Sequence, residues 1–153
     1  MGNILGESKA LNLIARAIET GLPSRKTKKL LTFSNTGTGN QSLATVTGVV
    51  EVSVLAVCKT SLVCHAATTL SVGVTAAATS IIATTGGSGI AAEEIWHDAS
   101  PDAKIEALTV LNKYITSDDI ICAVASGTGV ASGAIEFTIM WSPLTEDGEV
   151  TAA

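Results

Sequence analysis

The sequence predicts an all-β protein, an antiparallel β-sandwich of jelly-roll or Greek-key type with a short N-terminal helix and basic arm. Three observations lead there. Runs rich in Val, Ile and Thr are separated by Gly, Asn, Asp and Pro signals at roughly eight- to twelve-residue intervals. In the most regular run Ile135, Phe137, Ile139 and Trp141 share one face with period two. Helical patterns do not alternate with these strands, which excludes a doubly wound sheet. No repeat of about 20–50 residues is visible, so a solenoid is not required.

Taken in order, Glu7–Thr20 sets Ala10, Leu13, Ile14, Ala17 and Ile18 on one helical stripe. Gly21 suits the position just past the helix and Pro23 prevents its continuation. Ser24–Lys29 follows, with Arg25, Lys26, Lys28 and Lys29 in a run without periodicity, which on its own would be a solvated charge run. Residues 1–30 are therefore expected to form a helix and basic arm ahead of a sandwich domain over 31–153. The alternative is a first helix packed on its own domain. Leu30, Leu31 and Phe33 mark a first strand within Lys29–Ser34, and Asn35–Asn40 is a turn-rich loop.

Leu43–Lys59 is the longest strand candidate. Val46, Val50, Val52, Val54 and Ala56 share one parity, and the β-branched content is high. Its length exceeds the usual strand, so a bend is expected at Gly48, of the kind that carries a chain from one sheet to the other. Short strands follow at Leu62–His65, Thr69–Thr75, Ser80–Thr85 and Ile90–Trp96, with a flexible tip at Gly86–Gly89. Asp98–Asp102 is a turn. Lys104–Ile115 fits two descriptions: Ser100, Pro101 and the spacing of Ile105, Leu108 and Leu111 suit a helix, while the Thr and Val content and the all-β surroundings favour a strand.

Asp119–Ser126 and Ala134–Trp141 are predicted as a hairpin around a small-residue turn, Gly127–Gly133. In the first strand Ile120, Cys122 and Val124 alternate with Ile121, Ala123 and Ala125, so neither face is polar and both are expected to be covered. The chain has five aromatic residues, two Trp, two Phe and one Tyr. Two of them, Phe137 and Trp141, lie on one face of the second strand, where each can bury about 150–250 Å². That face, with Ile139 and with Val50, Val52 and Val54, is the predicted core. Leu144–Ala153 is expected to be a turn and a loose end.

The length of 153 residues suits one domain. Charged residues make up 15% against about 25% in average soluble proteins. A surface so poor in charge is expected to be covered in part by another protein chain. No apolar run reaches the 18 or so residues of a membrane-spanning helix, so no membrane partner is expected. Residues 1–30 hold six of the nine basic residues and two of the fourteen acidic ones, leaving the arm at +4 and the body at −9. An acidic body offers no footprint for a phosphate backbone, which argues against nucleic acid. The start Met-Gly-Asn-Ile-Leu-Gly misses the myristoylation pattern at Gly6, and no secretory signal is visible. The protein is expected to work where it is made.

Chemistry-bearing residues are sparse. Cys58, Cys64 and Cys122 are odd in number and are read as buried thiols rather than disulfides. The spacing of Cys58, Cys64 and His65 matches no zinc motif. The glycines of 35–40 lack the Lys-Ser/Thr of a phosphate loop. His97-Asp98 is read as a partly exposed pair, since Gly86-Gly-Ser-Gly-Ile lacks the last glycine of a nucleophile elbow. Asp118-Asp119 sits in no calcium loop. No cofactor and no enzymatic activity are expected.

The succession Glu94-Ile-Trp-His-Asp-Ala-Ser-Pro101, Tyr114-Ile-Thr-Ser-Asp-Asp-Ile-Ile121 and Ala134-Ile-Glu-Phe-Thr-Ile-Met-Trp-Ser-Pro-Leu144, closed by Asp147-Gly, resembles small structural proteins of tailed bacteriophages. It is most similar to those that decorate or cement the capsid. The resemblance covers about residues 43–150. It implies a compact sandwich on the outer surface of the virion, made in the host cytoplasm, bound to the major capsid protein and to itself as a homo-dimer or homo-trimer. A tail or head-fibre component contacting a host surface is the alternative in the same setting. Arg25, Lys26, Lys28 and Lys29, with the helical stripe through Leu13 and Ile14, are the expected partner-binding residues.

Overall fold

The computed structural model describes residues 25–105 and 112–153. The expected helix, with Leu13 and Ile14, lies outside the described residues, as do residues 106–111. Eleven strands occur among the described residues: β1 (Arg25–Thr36), β2 (Gly39–Thr47), β3 (Val49–Cys64), β4 (Thr69–Val74), β5 (Ala77–Gly86), β6 (Glu94–Trp96), β7 (Asp102–Ala103), β8 (Lys113–Thr116), β9 (Ile120–Ala125), β10 (Val130–Pro143) and β11 (Glu149–Ala152). A single 3-10 turn, Gly87–Gly89, follows β5.

The strands form two antiparallel sheets. One runs β1-β10-β3-β6-β7, with β8 also on β3; the other runs β11-β2-β9-β4-β5. Pairing is nested in sequence: β1 with β10, β2 with β9, β3 with β8, and β4 with β5. The chain thus doubles back on itself as one long ribbon. The pairs β10–β3 and β9–β4 close each sheet across it.

Facing side chains fill the space between the sheets. Phe137, Ile139, Val50 and Val52 have no exposed surface, Val54 keeps 3% and Trp141 6%. Ile120, Cys122, Val124, Leu70, Val72 and Ile82 meet them from the other sheet. Full burial of each large aliphatic or aromatic side chain contributes about 1.5–3 kcal/mol. Trp96 packs edge-on to Phe137, with ring centroids 6.1 Å apart.

Both tryptophans also tie the layers together at opposite borders. Trp96 Nε1 on β6 donates to Thr85 Oγ1 on β5, 2.9 Å away. Trp141 Nε1 on β10 donates to Thr27 Oγ1 at 2.9 Å, and that hydroxyl donates to the Val150 carbonyl of β11 at 2.9 Å. A buried indole N–H without a partner would cost about 1–3 kcal/mol. Each tryptophan has one, and in both cases the bonding leads across the sandwich.

Several expectations change. Ile120–Ala125 and Val130–Pro143 are strands, but they are not a hairpin, because β9 and β10 belong to different sheets. A hairpin would turn both apolar faces to the same side. Crossing between layers lets them face each other. Gly48 is the expected bend, and it carries a full change of sheet at φ +62°. Leu62–Cys64 continues β3 instead of forming a strand of its own. The predicted loop at 35–40 shrinks to a tight connection between β1 and β2. The end of 104–115 is strand, as part of Lys113–Thr116. The tail is not loose, since β11 pairs with β2 and Val150 is 4% exposed.

The largest correction concerns the basic run. Arg25–Lys29 is the first half of β1 and pairs residue for residue with Trp141–Phe137 of β10. The boundary placed at residue 30 therefore cuts a strand. Lys26 and Lys28 alternate with Arg25, Thr27 and Lys29, a period-two pattern that high charge conceals in the sequence. β9 is covered on both faces, as expected. Ile121 and Ala123 are buried on its outer side, where Gly73, the partner of Ile121, lies against the start of β5.

Candidate interaction surfaces

The chemistry-bearing residues do not converge. His65 is exposed in the β3–β4 loop. Asp98 Oδ1 accepts from the Ser100 backbone N–H at 2.7 Å, so its carboxylate serves its own turn rather than orienting His97. Asp118 Oδ2 accepts from the Ala76 N–H at 3.1 Å and holds the β4–β5 turn. Among the described residues no group of three or more His, Cys, Asp or Glu side chains is placed to hold a metal ion. The three cysteines are free. Burial raises the Cys58 and Cys64 thiols and pushes Cys122 up to about 12. Raised in this way, the thiols are held in the neutral form.

The predicted partner-binding cations are largely spoken for. Arg25 stacks its guanidinium over the Trp141 ring, 5.0 Å from the centroid. Lys29 Nζ donates to the Ala153 carbonyl beyond β11. Lys28 and Lys59 flank Glu136, at 3.7 and 3.6 Å from Oε1. Lys26 is exposed on the outer face. Thr27 and Lys29 thus close the seam between β1 and β11 and Arg25 covers Trp141, while Lys26 and Lys28 point outward from the border strand.

The two ends of the sandwich differ in charge. At one end lie 35–40, 64–69, 86–92 and 125–132, none of which contains Asp, Glu, Lys or Arg. Gly129 is its hub: its carbonyl accepts from His65 N at 3.2 Å and from Thr68 Oγ1 at 3.0 Å, and Gly87 N donates to the Thr68 carbonyl at 3.0 Å. At φ +100°, and with Thr36 O 2.1 Å from where a Cβ would stand, only glycine fits there. Loops from both sheets are thereby held in one surface whose own residues are uncharged, bordered by the Glu94 carboxylate, whose Oε2 accepts from the Ala91 N–H at 2.7 Å.

The opposite end carries Asp118, Asp119, Glu146, Asp147 and Glu149 around Gly48. Ser117 N donates to the Gly48 carbonyl at 2.9 Å, and Val49 N donates to Thr145 Oγ1 at 2.9 Å. The neutral end escaped the sequence reading, although a signal was present. Residues 60–92 hold no Asp, Glu, Lys or Arg. Pairing then adds 35–40 and 125–132, which are remote in sequence.

No family model, curated protein or solved structure shows a significant match to the chain.

Proposed function

We propose that this protein is a non-enzymatic structural component of a virion that binds the outer surface of the major capsid lattice and stabilises the head. The observation that carries the reading is the rigid neutral end. Cores of protein–protein interfaces are depleted in charge, and a surface already fixed by hydrogen bonds loses little entropy on docking. Loops 64–69, 86–92 and 125–132 meet both conditions, and 35–40, itself without charge, lies against Gly129. The nested strand pairing supports a jelly roll, a wrapped form of the sandwich that occurs in viral capsid domains. Fold alone does not specify function, so the surface carries the argument.

In this reading the neutral end sits on the shell and the acidic end faces outward. The segment containing Leu13 and Ile14 adds a second contact with a neighbouring subunit. A ligand that binds only the assembled lattice stabilises it by mass action. The test is to add the purified chain to heads assembled from the major capsid protein of the same virus. Saturable binding, density on the outer surface in cryo-EM images and a higher shell melting temperature are expected. Absence of binding to shells, together with binding to host cells, would replace this reading by a fibre component.

A further inference from the structure

The sheet β1-β10-β3-β6-β7 turns one side to the core and has an outer side over which no strand lies among the described residues. Outward positions of a sheet that faces water are exposed and mostly polar. Toward the β1 border they are: Lys26 and Lys28 are exposed, and Glu136 on β10 pairs with Lys28 and Lys59. The middle of the same side differs. Met140 of β10 and Ser53 of β3 stand opposite each other there, and they keep only 8% and 5% of their surface exposed. Leu55, Val57, Thr138 and Ile95 surround them and are half-buried. This strip is apolar and has the burial of a seat rather than of an open face.

We infer that in the free chain residues 7–20 occupy this seat, laying the stripe of Ala10, Leu13, Ile14, Ala17 and Ile18 on the outer side of their own sheet. Three observations choose this occupant. The stripe is the apolar face of an amphipathic segment, the form that fills an apolar groove. The segment joins the described chain at the right place, since Arg25 pairs with Trp141 and the next row is Lys26, Met140 and Ser53. Its dimensions also fit. The four residues 21–24 reach at most about 14 Å, and β3 lies about 10 Å from β1. Fourteen helical residues measure about 21 Å, against about 19 Å across the five strands. A tether this short gives the chain's own stripe a high effective concentration over its own sheet. Contact of the stripe with a neighbouring subunit, as in the capsid reading, draws it off this seat. The inference concerns the free chain and does not depend on that reading.

Oxidation of Met140 by hydrogen peroxide in the full chain tests it. Met1 and Met140 are the two methionines, so peptide mass spectrometry follows Met140 separately. Met140 should react slowly compared with free methionine, at a rate unchanged by dilution. In a full chain carrying Leu13→Asp and Ile14→Asp the rate should rise about tenfold or more, because a charged stripe leaves the seat. Asn12→Asp with Ala15→Asp, the same charge on the opposite face of the segment, should leave the rate near that of the parent. If the stripe variant loses its cooperative melting transition, Ile14→Asp alone serves the same comparison. Equal protection of Met140 in the parent and the stripe variant would assign the cover to another part of the chain and overturn the inference. Protection that falls on dilution would overturn it too, by placing the stripe on a second copy. Neither result touches binding to a shell.

Discussion

Phe137 sits where the two sheets come closest in purpose: it has no exposed surface and takes the edge of Trp96 against its ring. Phe137→Ala should destabilise the fold by about 3–5 kcal/mol, a large share of the usual 5–15, and a denaturant titration would show it. Cys122 offers a different probe. Burial raises its pKa to about 12 from the ordinary 9.0, so the folded chain holds this proton where the unfolded chain releases it. Stability from this thiol is fully present below pH 9.0 and is lost as the pH rises toward about 12, with a slope near 1.4 kcal/mol per unit. The slope should become shallower by about 1.4 kcal/mol per unit in Cys122→Ala, measured by urea unfolding between pH 8 and pH 11, roughly the span set by an ordinary thiol, while the raised Cys58 and Cys64 thiols still contribute. A thiol reagent at neutral pH should leave Cys122 unmodified until denaturant is added.

At the scale of elements, the connections decide which sheet a strand joins. The β9–β10 turn works because Ser126 and Gly127 take left-handed backbone and Gly129 presses its backbone against Thr36 and Gly37. Gly129→Ala brings a methyl into a backbone oxygen at a position with positive φ, and no soluble folded protein is expected. Gly37→Ala meets nothing within 4 Å and has no unusual φ, so its melting temperature should stay near that of the parent. Comparing the two by circular dichroism separates a loss of glycine as such from a loss of close approach. Gly48 is a milder case, since a Cβ there would meet only side-chain atoms of Asp147 and Thr145, and its φ of +62° is what favours glycine.

For the whole molecule, the place of β1 controls where the chain can be cut. Removing residues 1–24 leaves the paired strand intact, and cooperative melting of the remaining body is expected. Removing residues 1–29 takes away Thr27, the acceptor for the Trp141 indole, and Lys29, which bonds the Ala153 carbonyl. It also exposes the Trp141–Phe137 section of β10 as a bare border. That shorter chain should be less stable by several kcal/mol, or insoluble, when the two are compared by thermal melting.

The sequence by itself determined the fold class, the core face and the bend at Gly48, because side-chain alternation and glycine are local signals. Ile135, Phe137, Ile139 and Trp141 show their common face without any partner, and β9 shows burial on both faces through the lack of a polar parity. Only the tertiary structure decided which strands pair. A hairpin and a crossing look alike in Ile120–Trp141, since both need a turn between two strands, and the choice rests on neighbours as remote as Cys58 and Gln41. The basic run was misread for a related reason: lysines on a border strand keep their charge in water, so solvated alternation is masked by composition until Trp141 and Ala153 supply the partners. The neutral end was half legible, in the charge-free stretch 60–92. Its remaining loops, 35–40 and 125–132, meet it at Gly129, whose carbonyl bonds the 64–69 loop and whose backbone lies against Thr36 and Gly37.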